Sequence, residues 1–233
     1  MLSGRLGGLA GLSFIVLVGS VNIILGAAGM PQQGASPAEV QEFFTNHSET
    51  AALCSAIATL VWLCLAIFAA GLVARLRQAH PEEVESWPLL GMGAVIMQNA
   101  IFAGVVATQV VLANTSLSDD TSWAVWQLHN ALFTLNGSAL ALILLSFSVA
   151  GLRSGLIRRW HARLGLLAAA VLALSSFTTP FHDDVAALTL IGLVGFVMWL
   201  IWVATYSVTL LLSTALTTSA QALAVGPAVD PAG

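Results

Sequence analysis

Six hydrophobic windows, at about 8–29, 50–77, 89–113, 123–150, 164–179 and 185–213, follow one another with only short polar breaks between them. Windows of this length suit a hydrocarbon layer roughly 30 Å thick. Inside such a layer every backbone N–H and C=O needs a partner within the protein, which leaves helices or closed barrels. The alternating pattern of a barrel is absent. The chain is therefore expected to be all-α, a polytopic membrane helix bundle with six transmembrane helices in a single domain over residues 1–213. The remainder, 214–233, has neither periodicity nor clustered charge and is expected to be a disordered tail. Composition agrees, with 58% hydrophobic residues, 8% charged residues and a mean hydropathy of +0.92. A soluble domain carries about 25% charged residues.

The first window is preceded by Arg5 and followed by Gly26, Ala27 and Ala28, as a secretion signal would be. Its apolar core exceeds the roughly 15 residues of a signal h-region, so it is read as the first transmembrane helix.

Orientation comes from the arginines, because the chain has no lysine. Arg5, Arg75, Arg77, Arg153, Arg158, Arg159 and Arg163 all fall on one side of a six-span arrangement. By the positive-inside rule that side is the cytoplasm, which gives a multi-pass protein of the cell (inner) membrane with both termini cytoplasmic. The outer segments 30–49, 114–122 and 180–184 then hold Glu39, Glu42, Glu49, Asp119, Asp120, Asp183 and Asp184 without a single arginine, a formal charge of −7. Four acids against seven arginines leave +3 inside, consistent with the net −4. An outer face of one sign attracts cations and repels phosphates, so nucleic acid is excluded as an outer partner. The lack of lysine also excludes a retinal Schiff base.

Cys54 and Cys64, ten residues apart on one helix, are separated by about 15 Å and cannot bridge. They read as inert thiols. No C-x-x-C, G-x-G-x-x-G, P-loop, G-x-S-x-G or H-E-x-x-H pattern occurs. The triplets "NHS" and "NTS" match the glycosylation pattern and lie in outer segments, but a pattern so short carries little weight.

In the first outer loop, "SPAEVQEFFTNH" predicts a short amphipathic surface helix: Ser36 as N-cap, Pro37 at the first position and Glu39 closing a capping box. Val40, Phe43, Phe44 and His47 follow at helical spacing, a connector with both phenylalanines in the membrane interface or a lid.

The spans differ in what they can face. The first has Gly8, Gly11, Gly19, Asn22, Gly26 and Gly29 near one stripe, which predicts a packing face. The third puts Gly91, Gln98 and Gln109 on one side. In the sixth, Gly192, Gly195, Trp199, Trp202 and Tyr206 stack, the glycines as core and the aromatic residues as either seam or lipid contact. The fourth, "SWAVWQLHNALFTLNGS", carries Gln127, Asn130, Thr134 and Ser138 on one side and His129 with Asn136 nearly opposite. No face of it suits lipid, so neighbours should enclose it or it should line a wet cavity. Trp123 and Trp126 read as its outer interface marks, with His129 slightly deeper.

The turn "TTPFHDDV" brings His182, Asp183 and Asp184 together after a short fifth span. If His182 approaches His129, then His129, His182, Asp183 and Asp184 form a nitrogen and oxygen set suited to a divalent metal. The plainer reading is a solvated turn with an aspartate capping the sixth span. Haem would need a second imidazole at similar depth, and only His182 is a candidate. His129 also reads as a structural histidine bonded to Asn22, Gln109 or a backbone carbonyl. His80 and His161 lie at arginine-bearing helix ends and read as solvated. The breaks "GLVARLRQAH" and "GLRSGLIRRWHARLG" look alike, as any helix ending at an anionic leaflet would.

In "LHNALFTLNGSALALILLSFSVAGLRSGLIRRWHARLGLL" and "GFVMWLIWVATYSVTLLL" the chain resembles the small bacterial six-helix membrane proteins grouped as a domain of unknown function. The resemblance covers the second half, and the first half in layout only. It implies a six-helix bundle and brings no activity and no catalytic residues.

Three functions compete. One is a binding or transport-like module, in which Asn22, Gln98, Gln109, His129, Asn130 and the 182–184 turn build an outward polar pocket for a small ligand or cation. Another is a structural or accessory subunit, with a membrane protein or a second copy of the chain as partner. A metal-dependent membrane enzyme ranks last, because no nucleophile is placed beside a base.

Overall fold

In a computed structural model the chain forms seven helices and no strand among the described residues, which are 4–79, 86–178 and 185–224 apart from the side chains of 79, 178, 185–189 and 214–224. They are α1 (Gly4–Ala27), α2 (Pro37–Asn46), α3 (Ser48–Ala79), α4 (Ser86–Asn114), α5 (Asp119–Arg153), α6 (Arg159–Thr178) and α7 (Val185–Ala224). All but α2 are long and apolar enough to cross a membrane. The helix α7 continues through 214–224, which the sequence assigned to a tail. Alanine and leucine dominate there, and the first helix breakers come only at Gly226 and Pro227.

The spans pack as a ring in chain order: α1 on α3, α3 on α4, α4 on α5, α5 on α6, α6 on α7, and α7 back on α1. Gly7 meets Gly71, Gly8 meets Leu211 and Gly151 meets Tyr206, so the arginine-bearing ends lie together. Counted from that end at about 1.5 Å per residue, α5 rises ~51 Å whereas α6 rises only ~29 Å. The far end is therefore stepped. The helix α2 sits on the tall side, against α5, α3 and α4.

Two clusters hold the ring. Toward the arginine end Phe14, Phe68, Phe147, Trp202 and Tyr206 fill the centre, with Leu72 and Leu76 beneath them. Lipid tails are as apolar as these side chains, so close packing rather than escape from water must hold them. Three polar side chains in this layer are tied down. The Tyr206 hydroxyl donates to Phe147 O at 2.8 Å, Trp202 Nε1 donates to Ser148 Oγ at 3.0 Å, and His161 Nε2 lies 3.1 Å from Trp202 O. His161 is thus buried in the core against Tyr206 rather than solvated. The choice left open for Trp199, Trp202 and Tyr206 resolves to core.

The first-span glycines divide. Gly7, Gly8 and Gly11 are buried, and a Cβ on Gly7 would sit 3.0 Å from Gly71 Cα. Gly19, Gly26 and Gly29 face nothing within 4 Å, so the expected packing stripe stops half-way. Gly29, at φ +80°, instead ends α1: Met30 N donates to Leu25 O and Gly29 N to Gly26 O, the Schellman pattern.

The capping box forms as the sequence predicts: Ser36 Oγ accepts from Glu39 N at 3.3 Å, and Ser36 N donates to Glu39 Oε2 at 2.7 Å. The two phenylalanines do not lie in an interface. Val40, Phe43 and Phe44 are buried, with Phe44 6.2 Å from the Trp126 ring and Leu25, Cys54 and Leu112 in the same cluster.

Candidate functional site

The far half of the ring encloses a cavity of about 440 Å³. Small-molecule sites commonly span ~300–1,000 Å³. All six spans contribute to its wall, together with Met30–Gln33 of the first loop. Its position follows from the two clusters: the aromatic layer closes it toward the arginine end, while α2 and its cluster lie on the tall side of the other end.

Asn22, Gln98, Gln109, His129 and Asn130, singled out from sequence, all line this one cavity. Gln98 and Gln109 are each only 5% exposed, as their shared stripe on α4 requires. Asn22 is exposed, and its Nδ2 donates to Val18 O at 2.9 Å rather than reaching His129. His129 is held from α4: its Nδ1 lies 3.1 Å from both Val105 O and Thr108 Oγ1. Since the Thr108 hydroxyl donates to Val105 O at 2.7 Å, Nδ1 takes the donor role, which leaves Nε2 as an acceptor. The imidazole stacks on Trp126, with centroids 4.8 Å apart and planes 11° from parallel. Trp126 is therefore a core residue and no interface marker.

The polar residues of α5 that the helical wheel sets on opposite sides, Asn130 with Thr134 and His129 with Asn136, all line the cavity. A cavity this wide wraps around much of the helix. Enclosure is nevertheless incomplete. Ala124, Leu128, Ala131 and Leu135 form an exposed apolar stripe, Leu128 and Leu135 being 53% and 49% exposed, and Gln127 is exposed as well. The expectation that no face of this span suits lipid is thereby corrected: small and apolar residues at i, i+4, i+7 and i+11 provide one.

The wall has unmet hydrogen-bonding capacity. Gln98 Oε1, Asn99 Oδ1, Asn136 Oδ1, Gln109 Nε2 and the indole Nε1 atoms of Trp62, Trp126 and Trp199 are buried without a partner. All seven belong to cavity-lining residues. In an apolar surround each such atom costs about 1–3 kcal/mol, although the atoms themselves are covered by their neighbours rather than open to the cavity. Sequence reading missed Asn99, Trp62 and Trp199 as wall residues. The available signal was depth: Trp62 and Trp199 lie near the middle of their windows, away from the aromatic belts.

The loop after α1 crosses part of the opening. Gln33 Nε2 donates to Thr134 Oγ1 at 2.9 Å, which ties the loop to α5. Among the wall residues, Asn22, Gly26, Gln32, Phe133 and Leu193, from α1, the loop, α5 and α7, are exposed. The helices α5 and α6 are close here, with Ser176 Oγ donating to Thr134 O at 2.8 Å and Gly137 against Ser176.

Of the metal set, only His129 is among the described residues; His182, Asp183 and Asp184 lie outside them. No group of three or more His, Cys, Asp or Glu side chains that could hold a metal occurs among the described residues. Compared with protein-family models, with curated proteins and with solved structures, the chain matches none.

Proposed function

We propose that this six-span membrane protein binds a small ligand in the cavity enclosed by its ring, acting as a transport-like or sensory module rather than as a catalyst. The carrying observation is one cavity of about 440 Å³ among the spans that gathers Asn22, Gln98, Gln109, His129 and Asn130 in its wall. With the arginine end in the cytoplasm of a cell (inner) membrane, as the positive-inside rule directs, the cavity opens to the outside. The filled aromatic layer beneath it lets a ligand in from one side only, so passage through would need the ring to rearrange.

Cysteine labelling tests this. In a Cys54→Ala, Cys64→Ala background, Asn130→Cys should react with a membrane-impermeant maleimide added outside intact cells, and Ala141→Cys, in the filled layer, should not. Failure of Asn130→Cys to react from outside in folded protein refutes an outward, water-accessible cavity.

A further inference from the structure

We infer that residues 30–34, between α1 and α2, form a hinged strap beside the cavity, and that the hydrogen bond from Gln33 to Thr134 is the latch that holds it shut. This rests on the cavity being a ligand site and adds how entry to it is controlled. Met30, Pro31, Gln32 and Gln33 line the cavity, and the same four residues line an outer hollow of about 580 Å³ that the loop shares with α2. The strap is thus a single thickness of chain between two spaces.

Its ends are fixed and its middle is not. On the α1 side the Schellman turn at Gly29 and the packing of Met30 on the cluster of Phe44 and Trp126 hold it. On the α2 side the capping box of Ser36 and the packing of Ala35 on the same cluster do so. Between them Ala35 N donates to Gln32 O at 3.1 Å, closing a turn whose third position, where a type II turn needs positive φ, is Gly34 at φ +86°. That bond is internal to the loop, as is the one from Gln32 Nε2 to Met30 O at 3.2 Å. Among the hydrogen bonds of the described residues, the one that ties 31–34 to the ring is Gln33 Nε2 to Thr134 Oγ1 at 2.9 Å. The Thr134 hydroxyl gives its own proton to Asn130 O, so α5 orients the acceptor. Gly29 and Gly34 have open space where a side chain would stand, so the backbone can turn at either without a clash. A short segment with one tether opens locally when that tether breaks. Opening joins the hollow to the cavity, and a guest enters by the motion of a few loop residues while every helix stays in place.

Labelling at a site below the strap reads its opening. Gly91 against Phe147 and Gly104 against Leu132 set α4 on α5, which places the wall residue Asn99 about one helical turn nearer the arginine end than Thr134. In full-length protein with Cys54→Ala and Cys64→Ala, the rate at which Asn99→Cys reacts with an impermeant maleimide added outside intact cells is measured. Gln33→Ala and Thr134→Ala should each raise that rate about two- to tenfold, the population shift that one lost hydrogen bond produces. The double variant should be no faster than the faster single one, because both remove the same bond. Thr134→Ser keeps the acceptor and should leave the rate unchanged, as should every variant for Asn46→Cys, an exposed site on α2 in the outer hollow. Far-UV circular dichroism of each purified variant verifies its helices. Equal Asn99→Cys rates in all variants, whether fast or nil, overturn the strap, and labelling of Asn130→Cys then leaves the cavity standing as a ligand site. Rate increases that multiply in the double variant overturn the latch. If neither Asn99→Cys nor Asn130→Cys reacts in any variant, the ligand site is refuted and the strap with it.

Discussion

Two glycine substitutions, neither at a residue that lines the cavity, should move stability in opposite directions. Gly71→Ala places a Cβ 2.8 Å from Gly7 Cα, backbone against backbone. Ordinary carbon contacts lie near 3.5–4.0 Å, so α1 and α3 must separate by several tenths of an ångström and lose dispersion along the seam. Overpacking of this kind costs about 1–3 kcal/mol, and the helix gains back about 0.5–1 kcal/mol from replacing glycine. The net expectation is a loss of roughly 1–2 kcal/mol. Gly19→Ala meets nothing within 4 Å and keeps only the gain. The two variants should therefore differ by about 2 kcal/mol, roughly thirtyfold in the unfolding equilibrium constant. Titration with a denaturing detergent in mixed micelles, followed by far-UV circular dichroism, measures both. Equal shifts of the same sign would refute the reasoning, since they would mean that α1 packs along its whole glycine stripe or nowhere on it.

Further expectations concern α5 and α2. His129→Leu loses the Nδ1 bond to α4 and the stack on Trp126, and should destabilise by about 1–2 kcal/mol. Thermal melts with and without a divalent cation should show the same loss; a cation-dependent difference would instead mark His129 as a metal ligand. Ser36→Ala removes the N-cap of α2 and should loosen it by about 1 kcal/mol, seen as faster amide exchange over 37–46. Hydrogen bonds from Ser36 hold the Glu39 carboxyl below its usual 4.5. Its contribution to α2 should thus be complete above that value and fade as the pH drops through the lowered one, a loss absent from Glu39→Gln.

The architecture was legible in residues whose meaning does not depend on neighbours. Window length gave the six spans, the arginines gave the shared end, and Ser36, Pro37 and Glu39 gave α2. Gly91, Gln98 and Gln109 were readable as one buried face because polar groups at membrane depth must turn inward. Where lateral partners decide the outcome, sequence was silent. In lipid an apolar residue is content on any side, so nothing in the pattern says that α7 closes on α1 or that Gly8 is pinched while Gly19 is open. Trp126 misled because tryptophan marks membrane interfaces on average, and only the arrival of Phe44 from α2 makes its site interior. His161 misled for the mirror reason: flanking arginines suggest water, yet α7 supplies a carbonyl at 3.1 Å.

The order of the ring bears on how the protein is made. Five of its six seams join spans that follow one another along the chain, so each hairpin can dock as it leaves the ribosome. The sixth joins the earliest span to the latest, through Gly8 and Gly11 against Ser207 and Leu211. The first helix must wait in the bilayer, its seam with α7 unmade, until the sixth span has been synthesised. Chains interrupted before that clasp would leave an unzipped crescent with a hydrophilic groove facing lipid, the form a membrane quality-control protease would recognise.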